Sequence, residues 1–294
     1  MVELVKNWLA TVERKNSILC AGVDPADYVM GRSEKGEGLP VGRDKRDWAL
    51  KYIEAVAPFC AAIKPNLRYW GRGRDLSAVE DIVGCAKDLG LVVIQDSKEA
   101  DIGSTNDSGI FYAAMRGADA ITIAAFAGNM EEAAKQGKDR GVDVISMCLM
   151  SNPEYEKVKN MLVEVNDDGS YKPAHIFQAS GLPYVRHYIQ LAHDAAKFGY
   201  GGIVIGAPSA KNHIKDAEVE KAASYFKEGL ILVPGIGAQG GEVPVLAKHF
   251  SPNRLVCNVG RGLMFPSGAR STPEQQAAAA KQYQEMLNGL RTAA

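Results

Sequence analysis

The 294-residue chain predicts a closed α/β barrel, the (β/α)₈ or TIM barrel architecture, on three observations. Short apolar runs rich in β-branched residues recur eight times, each followed by a stretch with helical spacing. The length suits one such barrel as a single domain, with an insert at about 154–180. The first βα junction lacks GxGxxG, which argues against an open dinucleotide-binding sheet.

Taken in order, a first amphipathic helix is predicted over 3–14, followed by the strand SILCAGV, which ends near Asp24. The polar, glycine-bearing stretch 31–43 reads as a loop over the site. Helical spacing of Trp48, Leu50, Tyr52, Ile53 and Val56 predicts a helix over 44–58. Strands then fall at 60–65, 91–96 and 119–124, alternating with helices at 76–88, 106–116 and 129–138. The second half repeats the rhythm, with strands at 141–150, 200–207, 230–234 and 254–259 and helices at 182–197, 213–228, 241–249 and 273–289. Within the insert, VEVNDDGSYK predicts a small hairpin around Asp168-Gly169. Thr272, Pro273 and Gln275 supply the last helix with a cap, a compatible first residue and a capping-box partner.

Composition narrows the function. Lys plus Arg is 34 and Asp plus Glu 35, so no general basic field marks polymeric nucleic acid as a partner. The amino terminus, with Glu3 and Glu13, lacks a signal peptide's apolar core. The most apolar internal stretch, 118–128, is too short to span a bilayer and contains Asp119, so a soluble protein without a membrane partner is expected. Cys20, Cys60, Cys85, Cys148 and Cys257 are odd in number and lack CxxC spacing, which predicts free thiols in a reducing, cytoplasmic compartment. The histidines form no ligand motif, so neither structural zinc nor another metal is expected.

The chemistry centres on 91–105, LVVIQDSKEADIGST. Its first half reads as a buried strand, and period-two alternation should then project Asp96 and Lys98 to the same side. Asp101 lies beyond in a turn, where Gly103 permits tight geometry and Ser104 or Thr105 could cap the next helix. Asp24 and Lys64 end the two preceding strands. Alone, Asp24 reads equally well as a cap and Lys64 as a side chain escaping to water. Together the four form an alternating-charge set that desolvation makes expensive unless every member is paired. Such a set holds Lys98 protonated and directed, which suits stabilising a carbanion and delivering a proton. At the other end, Gly235, Gly237 and Gly240 of GIGAQGG let backbone amides approach a ligand, and Gln239 adds a donor. Gly260 and Arg261 follow strand eight, and in barrels the junctions after strands seven and eight commonly bind phosphate.

These residues closely resemble the orotidine 5′-monophosphate decarboxylase family, specifically its longer bacterial-type subfamily. The family's DxKxxDI signature matches Asp96, Lys98, Asp101 and Ile102, GVDP supplies Asp24, and Lys64-Pro65-Asn66 matches the second-strand lysine motif. The resemblance implies conversion of orotidine 5′-monophosphate to UMP and carbon dioxide without a cofactor. Asp24 would lie near the ribose hydroxyls, Lys64 in the charge network and Asp96 beside the scissile carboxylate, while Lys98 would protonate C6. It further implies a homodimer, with Asp101, Ile102 and Thr105 entering the neighbouring subunit's site. Ser151 of Met150-Ser151-Asn152-Pro153 would meet the pyrimidine, and Gln239 and Arg261 the phosphate. Two departures bear on loop geometry: Glu99-Ala100 stands where many relatives have Arg-Gly, and Pro208 where Thr is common. Barrels resembling hexulose-phosphate synthase share D-x-K but carry a metal-binding acid on strand two, the region of Lys64 here. Isomerase barrels need a base suited to enolisation, and a silent nucleotide-binding barrel would lose the charge network that this chain keeps.

Overall fold

The computed structural model describes residues 2–27, 30, 36–71, 75–166, 168–236 and 242–292. The chain starts with α1 (Glu3–Lys15) and β1 (Leu19–Val23), then α2 (Lys45–Val56), β2 (Ala62–Pro65), α3 (Asp75–Asp88), β3 (Val92–Glu99), α4 (Gly103–Met115), β4 (Ala120–Ile123), α5 (Met130–Arg140) and β5 (Asp143–Leu149). The insert contributes α6 (Tyr155–Lys159), β6 (Leu162–Glu164), β7 (Phe177–Ala179) and β8 (Leu182–Arg186). After α7 (His187–Lys197) come β9 (Gly202–Ile205), α8 (Asp216–Ala223), β10 (Leu230–Val233), α9 (Val243–Ala247), β11 (Leu255–Val259), α10 (Arg261–Met264) and α11 (Pro273–Thr292). Eight parallel strands close in the order β1-β11-β10-β9-β5-β4-β3-β2, as the βα rhythm predicts.

The barrel strands are predominantly apolar because helices cover their outer faces and side chains fill the lumen. Helix α1 plugs the amino-terminal mouth: the Leu4 amide donates to Asp143 at 2.7 Å and the Trp8 indole to the Asn253 carbonyl at 2.7 Å. Chemistry is thereby left to the carboxyl-terminal mouth. The predicted capping box of α11 is present, with Thr272 N–H donating to Gln275 Oε1 at 3.0 Å and Gln275 N–H to Thr272 Oγ1 at 3.4 Å.

Three sequence expectations need correction. Residues 182–186 are not helical; they form β8, the centre of a small antiparallel sheet ordered β6-β8-β7. Its hairpin turns at Ser180-Gly181, both left-handed (φ 52° and 79°), as a tight two-residue turn requires. The predicted hairpin at Asp168-Gly169 is instead a local turn in which Asp168 Oδ1 accepts from Ser170 N–H at 3.0 Å. The helix predicted over 213–228 is confined to α8, because the preceding residues are spent on anchoring. Buried Lys159 donates to the His213 carbonyl and pairs with Glu218, both at 2.7 Å, and His213 Nε2 meets the Asn152 carbonyl at 3.0 Å. The insert also docks through Tyr171 stacked on His193, ring centroids 4.0 Å apart, and through Ser170 Oγ at 3.0 Å from His193 Nε2.

Candidate active site

Strand register brings the predicted charges together. Lys64 pairs in register with Gly22 on β1, one residue short of the strand's end, and the β2–β3 side closes with a bridge between Asn66 and Asp96. Asp96 is buried and sits between two lysines, ion-paired with Lys64 through one carboxylate oxygen and with Lys98 through the other. Lys98 does not reach this position by simple alternation. Pairing between β3 and β4 is regular to Gln95–Ile121 and resumes at Glu99–Ile123, and Lys98 within this bulge adopts φ 53°. The bulge turns its side chain back onto Asp96.

Electrostatics follow from burial and pairing. Burial alone would strip the charge from Lys64, but the Asp96 and Asp24 carboxylates overcome it and hold the ammonium above its ordinary pKa. Burial likewise opposes ionisation of Asp96, yet Lys64 and Lys98 drive its carboxyl well below the usual carboxylate range. Asp24 behaves differently: burial pushes its carboxyl up, with Lys64 opposing. Its Oδ1 is buried without a hydrogen-bond partner, while the carboxylate takes a backbone hydrogen bond from Asn66 and lies in the field of Lys64. The Asp24 N–H meets Met264 Sδ at 3.3 Å.

A cavity of about 300 Å³ is lined by Asp24, Lys64 and Asp96 together with Gly235, Gly260 and Arg261, while Lys98 is not among its lining residues. The volume fits a mononucleotide-sized ligand. Arg261 begins the short helix α10, and its guanidinium pairs with Glu37 at 2.8 Å. Gly235 is left-handed at φ 84°, a conformation that favours glycine. Gly237, Gln239 and Gly240 lie outside the described residues.

The family model for "Orotidine 5′-phosphate decarboxylase / HUMPS family" matches residues 17–278. The chain belongs to this family. Among orotidine 5′-phosphate decarboxylases, that of Variovorax paradoxus is 26% identical over 291 residues, covering 96% of this chain and 97% of the relative. That of Halorubrum lacusprofundi is 26% identical over 297 residues, covering 95% and 96%. The fold matches OMP decarboxylase from Leishmania donovani at TM-score 0.69, with 21% identity and coverage of 98% and 99%. It also matches the Methanocaldococcus jannaschii orotidine 5′-monophosphate decarboxylase complexed with the inhibitor BMP, at TM-score 0.60, with 24% identity and coverage of 92% and 98%.

The remaining residues that the family signature marks lie away from the cavity. Asp101 is exposed; its Oδ1 accepts from Ile102 N–H at 2.7 Å, and its own N–H donates to Asn106 Oδ1 at 3.0 Å. Neither Ser104 nor Thr105 caps α4. The helix starts at Gly103 with Ile102 as an uncapped N-cap, and buried Asn106 reaches back to the turn instead. Ile102 and Thr105 are exposed. Ser151 follows β5 and packs against Gly206, where an added Cβ would come within 2.9 Å of the Ser151 Cβ. Sequence reasoning did not single out Glu37, Tyr69, Asn258 or Met264, which also line the cavity. Asn258 had a readable signal, since it interrupts the apolar strand LVCNV and a polar residue there faces the lumen end. Glu37 had none: only the folded β1–α2 connection brings it to Arg261.

Proposed function

We propose that this protein decarboxylates orotidine 5′-monophosphate to UMP and carbon dioxide, the last step of de novo UMP synthesis, with Lys98 stabilising and then protonating C6. The observation that carries this reading is the Lys64–Asp96–Lys98 chain of ion pairs, whose Lys64 and Asp96 line the same cavity as Arg261. The C6–carboxylate bond breaks, its electron pair stays on C6 and carbon dioxide leaves. A pre-placed ammonium on Lys98 meets that developing charge and gives C6 a proton, which water later restores. Asp96 keeps Lys98 aimed and, as a fixed carboxylate, opposes a second one beside it. Asp24 accepts from the ribose hydroxyls, Ser151 meets the pyrimidine, and Arg261 with the backbone at Gly235 and Gly260 takes the phosphate. Gly237, Gln239 and Gly240 are assigned to the phosphate on sequence grounds.

The site is shared between two copies of the chain. Lys98 keeps 44% of its side chain exposed although it belongs to the charge network, so one barrel leaves it open. Asp101, Ile102 and Thr105 face outward beside it, and Ile102, Phe111, Tyr112, Met115 and Phe126 form an exposed apolar surface of the kind a partner covers. In this reading the three outward residues complete the partner's cavity.

Metal-dependent sugar-phosphate chemistry fits less well, because the second strand offers buried, ion-paired Lys64 where such a barrel needs an acid. The test is loss of orotidine 5′-monophosphate absorbance with purified, EDTA-treated protein. Turnover that survives chelation is expected. Loss restored specifically by magnesium would transfer the assignment to the sugar-phosphate reaction.

A further inference from the structure

The bulge that aims Lys98 creates a problem that the sheet itself does not solve. Between the Gln95–Ile121 and Glu99–Ile123 pairs, three residues of β3 (Asp96, Ser97 and Lys98) stand opposite Thr122 alone. On this side the Ser97 and Lys98 N–H groups have lost the regular ladder, and this part of the strand is mostly buried, where an orphaned donor is costly. Thr122 meets the demand with its side chain. Its Oγ1 accepts from Lys98 N–H at 3.0 Å and from Ser97 N–H at 3.2 Å, and its hydroxyl donates to Asp96 Oδ1 at 3.3 Å. A threonine hydroxyl offers one donor and two acceptor positions, so all three are in use. Thr122 is itself buried on β4.

We propose that Thr122 is a positioning residue for the decarboxylation, its single hydroxyl directing the Asp96 carboxylate and fixing the left-handed backbone from which Lys98 reaches the substrate. The role rests on the reaction proposed above. A left-handed φ at a residue with a Cβ is disfavoured and persists only where the surroundings over-determine it. Two convergent hydrogen bonds at consecutive amides, one of them Lys98's own, are such a constraint. The same hydroxyl bonds the oxygen of Asp96 that faces Lys98, while Lys64 holds the other. Thr122 therefore acts on both the base of the lysine's side chain and the partner at its tip. It touches neither Asp24 nor Arg261 in any of these bonds, so its contribution should appear in turnover and not in substrate affinity.

The experiment compares wild type, Thr122→Val and Thr122→Ser, with melting temperatures measured first to establish folding. Loss of the hydroxyl in Thr122→Val should lower kcat about 10- to 100-fold, the range for a lost hydrogen bond to a charged group. KM and the Kd for UMP should stay within about 3-fold of wild type, the pattern of an interaction that matters in the transition state. Thr122→Ser keeps the hydroxyl and should retain kcat within about 3-fold of wild type. If Thr122→Val does not fold, Thr122→Cys takes its place, because a thiol is a weak donor and a weak acceptor. The role is overturned if the hydroxyl-free variant keeps kcat within that margin, if Thr122→Ser loses as much as it does, or if UMP affinity falls in proportion to kcat. Absence of turnover in the wild type overturns the reaction and this role together, whereas a normal wild-type rate with any of the three patterns above overturns the role alone.

Discussion

Lys98 and Asp24 are charged groups of one site held under opposite constraints, and their replacements should separate chemistry from stability. Lys98→Ala should fold and lose turnover by several orders of magnitude, since its ammonium acts on charge that exists only in the transition state. Steady-state kinetics check this, and a variant keeping more than about a tenth of wild-type turnover would remove Lys98 from its role. Asp24 has its pKa raised by burial and a buried oxygen without a partner. A raised carboxyl pKa means that ionising Asp24 costs stability progressively as pH climbs from the unfolded to the folded value, in full above the latter and not at all below the former. Asp24→Asn should therefore raise the melting temperature, and by more at about pH 8 than at about pH 4, while weakening substrate binding. Equal gains at both pH values would contradict the sign. Asp96 runs the other way: its depressed pKa gives stability that is full above the unfolded carboxyl range and is lost progressively as pH falls from there through the folded value.

The connection between β1 and α2 brings Glu37 onto Arg261, so a phosphate arriving at that arginine meets a carboxylate already there. Binding a dianion must displace the ion pair or suffer like-charge repulsion. Glu37→Gln should lower KM for orotidine 5′-monophosphate several-fold, whereas Arg261→Ala should raise it and spare the unphosphorylated nucleoside. Rates on both substrates for both variants decide the matter: a rise in KM for Glu37→Gln would mean that Glu37 orients the arginine, and proportional losses on both substrates for Arg261→Ala would argue against a phosphate contact. Strand and helix positions of this kind were largely readable, because buried parallel strands are unbroken apolar runs and helices carry a 3.6-residue period. The insert was not. Leu182–Arg186 carries no decisive periodicity, and it is strand because β6 and β7 offer it partners on both sides.

A shared site makes a prediction about the assembled molecule. Lys98→Ala and Asp101→Ala proteins, each nearly inactive, would be dissociated, mixed equally and reassociated. In a two-fold dimer one site of each heterodimer receives both defects and the other neither. Random pairing makes about half the dimers heterodimers, so activity should recover to roughly one quarter of wild type. No recovery, with subunit exchange verified by mass spectrometry, would confine each site to one chain. The exposed Asp101 and the apolar surface around α4 motivate the experiment.

Asp24, Lys64, Asp96, Lys98 and Arg261 were identifiable from the chain alone, because each is a charge or a glycine-flanked cation placed where an apolar strand ends. Their local context carries the signal: a charge at the tip of a buried run needs a reason, and ordinal position along eight βα units supplies one. Thr122, Asn258 and Glu37 were not identifiable in this way, nor was the means by which Lys98 turns back to Asp96. Threonine is an ordinary strand residue, and nothing in ITI says that its hydroxyl serves two amides of a neighbouring bulge. A register shift depends on how two strands distant in sequence pair, and the Glu37–Arg261 contact spans most of the chain. Such features come from closure of the barrel, which sets side by side groups whose own sequence neighbourhoods carry no trace of one another.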